Sequence, residues 1–376
     1  MYSKSQERQA LADVSINQPL LPSAITFTNL HADPNKIFKW RRQQSLTNSF
    51  IASPMVSLTK KRSIDYIDVQ DKLSQKKLKI WKNFQESDND IDSNSTNDIK
   101  MVKEYNSDIF KYFYQREPIL SPAFNYTKDK HSMCYLRPKL RTILVDWIVQ
   151  VHEKFQCVSE TLLLSINIMD RFLSTSKVST SKLQLVAITS LFIASKFYEI
   201  NLPKISNYAY VTDGAASIRD IKLAEYQILK ALNFEIAWPN PMDFIRRISK
   251  SDNYDERTRK YAKMIIEFAY CSTLFIHLKP SLLSVLSMYI AKKMTMQSVE
   301  KDKQETEENL IKWLTPFLNN EDYHDLKDSS RIIKKYSSLL LDEIINPSMK
   351  IECLIQKFKD QNTYNDFIKN CKALKN

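Results

Sequence analysis

The chain has 376 residues and a single glycine, Gly214. That scarcity excludes whole classes of function. A P-loop, a dinucleotide fingerprint and a kinase glycine-rich loop each need several glycines to bring backbone close to phosphate, so none can be written here. Tight β-hairpins also lean on glycine for positive φ. An all-helical chain is therefore favoured before any periodicity is counted. The five cysteines, at 134, 157, 271, 353 and 371, form no CxxC pair. No zinc ribbon fits them, and their scatter suits reduced thiols better than a disulfide framework. None of the five histidines, His31, His131, His152, His277 and His324, has a second within a helical turn, so no helix-borne metal pair is present. Ser, His and Asp occur at no spacing that ties them together. No catalytic residue, metal or cofactor is expected, and the chain is not read as an enzyme. The N-terminus has no apolar h-region and no apolar run reaches about 18 residues, so neither a signal peptide nor a membrane span is expected. The net charge of +12 is scattered, and it bears on solubility rather than fold.

What is present is helical periodicity. Residues 136–199 hold three helical patterns in a row. The first opens at Pro138, whose fixed φ suits a first turn. Leu140, Ile143, Leu144, Trp147 and Val151 then mark one face. Val145, Ile148 and Val149 are apolar as well, so this helix reads as buried nearly all round. The second starts at Ser159 and runs through Leu162, Ile166, Met169 and Phe172. The third starts near 179–181 and is apolar on most faces up to Lys196. Ser217 caps a further helix, with Leu223, Tyr226, Leu229 and Leu232 or Phe234 as its inward stripe and Glu225 off it. The segment 210–217, YVTDGAAS, reads as a loop. The prolines of AWPNP break the chain after Ile236. Helical patterns resume at PMDFIRRISKS, at a long stretch striped by Tyr261, Ile265, Phe268 and Ala269, at KPSLLSVLSMYIAKKM, and in three later segments.

The strings LRTILVDWIVQVHEKF, ETLLLSINIMDRFLS and KLQLVAITSLFIASKFYE resemble the successive helices of a cyclin box, in order and spacing. FIRRISK and IHLKPSLLSVLSMYIAKK resemble the second box of yeast B-type cyclins, and the chain as a whole looks most like their S-phase members. The resemblance implies an all-α chain of two five-helix bundles in tandem. Its divisions would be a disordered regulatory tail over 1–100, a first box with its preceding helix over 101–236, and a second cyclin fold over 237–376. Low apolar content and no sustained period support the disordered tail independently.

The resemblance also implies a function without catalysis: binding and activating a cyclin-dependent kinase that carries a PSTAIRE helix, during S phase or G2/M. Lys196 and Glu225 match a lysine and a glutamate that sit together at the kinase-facing surface and hydrogen-bond to backbone around that helix, with Glu199 nearby. Phe234 and Ile236 match the apolar pair packed beside it. Tyr105, Asp108 and Ile109 match the YxxDI start of a preceding helix, on which Ile109, Tyr112 and Phe113 share a face. Leu140, Ile143, Leu144, Trp147, Gln150, Leu183 and Gln184 match a hydrophobic patch that receives RxL peptides of substrates and inhibitors. By periodicity alone the same side chains are core. Leu140 stands where the family has methionine, a volume-conserving change, and Gln150 replaces a rim glutamate that would pair with the RxL arginine. In the tail, Arg8, Leu11 and Asp13 resemble a destruction box read by the anaphase-promoting complex, with Asn17 one residue late. Lys60, Lys61 and Arg62 with Lys76, Lys77 and Lys79 resemble a bipartite nuclear import signal, so a nuclear protein shuttling with the cytoplasm is expected. Clustered like charge also reads as a solvated patch. Ser53-Pro54 and Ser121-Pro122 are candidate sites for a proline-directed kinase. An alternative from another class is a two-box DNA-binding transcription factor of the TFIIB-like group, which would want a zinc ribbon and a basic face.

Overall fold

The computed structural model describes residues 105–296, 303–319, 326–349, 351–360 and 363–375. The tail signals, Arg8 to Asn17 and Lys60 to Lys79, lie outside the described residues. A boundary between two compact units falls at Phe110/Lys111, inside the first helix. Only the last few residues of the unit Thr28–Phe110 are described. Everything below concerns the described residues after it unless stated.

Thirteen α-helices and no strand occur among the described residues. The helix α1 spans Asn106–Arg116. Five helices follow, α2 (Pro138–Phe155), α3 (Ser159–Thr175), α4 (Leu183–Tyr198), α5 (Ile205–Val211) and α6 (Ile218–Ala231). A second set of five is α7 (Pro241–Ser251), α8 (Glu256–Cys271), α9 (Pro280–Met296), α10 (Lys303–Leu314) and α11 (Leu326–Ile345). Two more, α12 (Glu352–Asp360) and α13 (Tyr364–Lys375), end the chain.

Each set contains a helix buried along most of its length, α4 in the first and α9 in the second. In α4 every residue from 185 to 195 is buried, and in α9 every residue from 280 to 291. Both carry serines, which a buried apolar helix accepts only if the hydroxyl finds a partner. Ser190 and Ser195 donate back to Val186 O and Leu191 O, and Ser284 and Ser287 to Pro280 O and Leu283 O. The i−4 carbonyl satisfies the hydroxyl inside its own helix.

Local signals start several helices. Ser217 and Asp220 form a capping box on α6. Asn240 accepts from Met242 N–H before α7, and Asp255 from Thr258 N–H before α8. Three other helices, of which α3 has no local side-chain cap, receive a carboxylate from far along the chain. Glu199, at the end of α4, accepts from Val158 N–H at 2.9 Å and Thr161 Oγ1 at 2.5 Å, at the start of α3. Buried Glu117 accepts from Ser281 N–H and Oγ at 3.1 and 2.9 Å, at the start of α9. Asp146 of α2 accepts from Cys353 N–H at 3.0 Å, at the start of α12. Each anion meets the free N–H groups at the positive end of a helix.

One buried cluster joins the two sets. Arg141 of α2 makes a two-pronged bond to Asp170 of α3, at 2.9 and 2.8 Å. Tyr126 Oη donates to the same carboxylate at 2.7 Å. The remaining guanidinium protons go to Tyr270 O, Cys271 O and Ser272 O, the last carbonyls of α8, at 2.9, 3.1 and 3.3 Å. A cation at a helix C-terminus is favourable. α12 then lies along α2. Its Lys357, buried, reaches Glu267 of α8 at 2.8 Å and Glu153 of α2 at 3.0 Å. Burial opposes a charge on Lys357, but those two carboxylates outweigh it and hold its pKa above the ordinary value.

Several expectations from sequence need correction. α2 is not buried all round: Ile143, Asp146 and Trp147 are half-buried and Gln150 exposed. The most enclosed helix is α3, buried at every position from 161 to 174. The inward stripe of α6 is Ile221, Ala224, Ile228 and then Leu232, while Tyr226 and Phe234 are exposed. Residues spaced by three alone drift round a helix, whereas three-then-four spacing stays on one side. On α1 Tyr112 is exposed, and Phe113 and Tyr114 supply the inward rings, both against Phe244. Tyr210 and Val211 belong to α5 rather than to the loop. α13 was not expected as a separate helix. It stacks Phe367 on Phe268.

Candidate partner-binding surface

α4 ends at Tyr198 and α6 runs beside it. This neighbouring brings Lys196 and Glu225, 29 residues apart, into an ion pair at 2.5 Å. The glutamate is the more sheltered partner, with side-chain exposures of 44% for Lys196 and 17% for Glu225. Lys196 Nζ also sits 4.7 Å from the centre of the Phe192 ring, a cation–π contact that orients the ammonium. Two of its three protons remain available for a further acceptor. The structure thus joins directly the two residues that the resemblance sets together.

Glu199 is placed differently. Its carboxylate is engaged in capping α3, so within this chain it has a structural part to play. Phe234 is 62% exposed and Ile236 half-buried, just past the end of α6. Tyr105, Asp108 and Ile109 lie at the start of α1, in the separate unit Thr28–Phe110.

Four side chains escaped the sequence reading. Phe197, Ile200 and Leu202 are exposed in the run that leaves α4, Ile200 by 99%, and Tyr226 is exposed next to Glu225. Single exposed apolar residues are ordinary, whereas several large ones on neighbouring helices and their ends are the feature a partner-binding reading needs. The signal was available in the sequence. Phe197 to Leu202 is an apolar-rich run that starts in the last turn of a helix and continues past its end, where no periodic face is left to bury it.

The second candidate site divides by depth. Leu140, Leu144 and Leu183 are buried, Ile143, Trp147 and Gln184 half-buried, and Gln150 exposed. α12 takes up the neighbouring side of α2 that carries Asp146 and Glu153. Of the histidines, His152 is buried, with Nε2 2.8 Å from Val158 O, and serves packing. Among the described residues no cluster could hold a metal ion, and no helix is long and apolar enough to cross a membrane.

Two buried-centre bundles in tandem, with an exposed apolar margin on the first, are what the comparisons with known proteins meet. Residues 108–237 match the family Cyclin, N-terminal domain, and residues 239–367 the family Cyclin, C-terminal domain. The chain belongs to the cyclin family. Similar curated relatives include S-phase entry cyclin-5 of Saccharomyces cerevisiae, 58% identical over 55% of this chain and 47% of that protein. S-phase entry cyclin-6 of the same yeast is 43% identical over 80% of this chain and 75% of that protein. G2/mitotic-specific cyclin-1 of that yeast is 42% identical over 62% of this chain and 50% of that protein. The chain therefore spans about half the length of the first and third of these relatives.

Proposed function

We propose that this chain is a regulatory subunit that binds and activates a cyclin-dependent kinase with a PSTAIRE helix, and has no catalysis of its own. The observation that carries the reading is the Lys196–Glu225 pair with Phe197, Ile200, Tyr226 and Phe234 exposed on the same two helices and their ends. Charged donors and acceptors ringed by large apolar side chains suit the backbone and side chains of a partner helix. Activation would then be a shift between two kinase states. Docking favours the state in which the αC glutamate meets the β3 lysine and the activation loop is released. The S-phase and mitotic names of the relatives favour a role in S phase or G2/M, and favour the kinase reading over the two-box transcription factor.

The same reading assigns the margin of Ile143, Trp147, Gln150 and Gln184 to RxL-bearing substrates and inhibitors. It assigns Arg8, Leu11, Asp13 and Asn17 to the anaphase-promoting complex. Lys60, Lys61, Arg62, Lys76, Lys77 and Lys79 are assigned to nuclear import. The decisive test is the double change Lys196→Ala with Glu225→Ala. Losing a charge-assisted contact at a buried interface costs roughly 2–5 kcal/mol, more than tenfold in affinity. Co-purification with the kinase should be lost while the melting midpoint of the free protein stays nearly unchanged. Kinase binding that survives the double change would place the docking surface elsewhere.

A further inference from the structure

The segment joining α6 to α7 holds two consecutive residues in left-handed backbone, Asn233 at φ 51° and Phe234 at φ 59°. Phe234 N–H donates to Leu229 O at 2.8 Å and Asn233 N–H to Lys230 O at 3.1 Å. This is a helix stop of the kind glycine usually supplies, and a bulky aromatic is rare in it. The backbone alone assigns nothing, because α7 ends the same way. Asn253 and Tyr254 have φ of 51° and 57°, and Tyr254 N–H donates to Ser249 O at 2.8 Å.

The two stops differ in what they do with the aromatic. Tyr254 is half-buried, whereas Phe234 is displayed. The residue after Phe234 is also held from two sides. The Glu235 carboxylate pairs with Arg116 at the end of α1. The Glu235 carbonyl accepts from Arg171 Nη1 of α3 at 2.7 Å. Arg171 is buried in the first bundle, so its end of this tie is fixed by the core. An exposed aromatic on a free loop would lose conformational freedom on binding. One already fixed avoids that loss.

We infer that Arg116, Arg171 and Glu235 are positioning residues that hold Phe234 ready to enter an apolar pocket of the kinase, an inference that rests on the kinase-binding reading above. The arginines need not touch the partner. They act through the aromatic.

The test measures affinity of the full chain for a recombinant kinase bearing the PSTAIRE helix, with the melting midpoint recorded for each variant. Phe234→Ala should weaken binding about thirtyfold, the scale of a buried aromatic anchor. Arg116→Ala should weaken it about fivefold, within the range of coupled neighbours, with the midpoint unchanged. Glu235→Gln, which keeps the carbonyl bond to Arg171, should give a similar loss. In the Phe234→Ala background, Arg116→Ala should cause no further loss. A second fivefold loss there would show that Arg116 meets the kinase directly and would overturn the inference. So would full affinity in both Arg116→Ala and Glu235→Gln while Phe234→Ala is weak. If Phe234→Ala itself binds like the parent, the kinase-binding reading of this segment fails, and the inference with it.

Discussion

The two bundles share a plan and differ at their surfaces. Each surrounds a helix buried along most of its length, α4 in one and α9 in the other, and each hides serine hydroxyls against i−4 carbonyls. Around α4 the margin carries Phe197, Ile200, Leu202, Tyr226 and Phe234 exposed to solvent. The described part of the second bundle exposes large apolar side chains more sparsely, at Leu274, Leu326 and Leu339. The same architecture thus carries different surfaces, and the difference lies in outward residues on two helices and just past their ends rather than in the packing of the core. The segments flanking the bundles tie the two together. Glu117, before the first bundle, caps α9 in the second, while α12, after the second, returns to α2 in the first.

The largest expected effect comes from cutting the joint between them. Arg141→Ala leaves Asp170 buried without its partner and strips three α8 carbonyls of a donor. Breaking a buried pair from one side costs about 3–5 kcal/mol, to be read as a lower midpoint in urea melting. Replacing both partners by apolar residues, Arg141→Met with Asp170→Leu, usually recovers much of such a loss. Here it should recover only part, because the carbonyls of Tyr270, Cys271 and Ser272 stay unsatisfied. A parental midpoint for Arg141→Ala would mean that the other ties, among them α12 and the Glu117 cap on α9, hold the bundles together without it, and would break the comparison at its seam.

How far the sequence revealed this arrangement depended on distance along the chain. Periodicity located α2, α3, α4, α7 and α9 because each carries its own apolar pattern and start signal, such as Pro138, Pro241 and Pro280. Lys196 and Glu225 are set side by side by the resemblance alone, since nothing local in the sequence links residues 29 apart. The caps from Glu117, Glu199 and Asp146 were missed for the same reason: their partners lie 164, 41 and 207 residues away. The stripe of α6 was misread because Leu223, Tyr226 and Leu229 are as apolar as the residues that turn inward. Only the neighbouring helices decide which face is covered. Arg141 and Asp170 sit inside quoted motifs, yet their charges gave no hint of a buried pair until α8 was placed against them.

A smaller effect should sharpen the contrast on the first bundle's own surface. Trp147 is half-buried and Gln150 exposed, so both can be changed without opening the core. Trp147→Ala is expected to cost about 1–2 kcal/mol of docking, read as a raised KM for an RxL-bearing substrate with a short peptide substrate unaffected. Gln150→Glu restores a rim charge opposite the RxL arginine. An exposed pair contributes about 0.2–1 kcal/mol, so docking should tighten at most about fivefold and more at low salt. Equal loss on both substrates for Trp147→Ala would make this side chain structural, and would remove the substrate margin from the first bundle.

The smallest effect concerns the strap that α12 lays over α2. Burial works against the Glu153 charge, but its bond to His152 and the charge of Lys357 more than offset this and hold its pKa down at about 2. A carboxylate with a lowered folded-state pKa adds stability that is complete above its ordinary value near 4.5 and is lost as the pH falls through about 2. Asp146, on the same helix, acts in the opposite sense, since burial raises its pKa. Glu153→Gln removes one titration and leaves the other, so the difference between variant and parent isolates Glu153. Its side chain is 41% exposed, and solvent screening keeps the contribution to about 1 kcal/mol or less. The variant should melt slightly below the parent at pH 7, with the gap closing between about pH 4.5 and 2. A gap that stays constant down to pH 2 would mean that Glu153 holds the strap through its neutral hydrogen bonds and packing rather than through its charge, and Asp146 would then be the carboxylate of α2 whose titration bears on the closure.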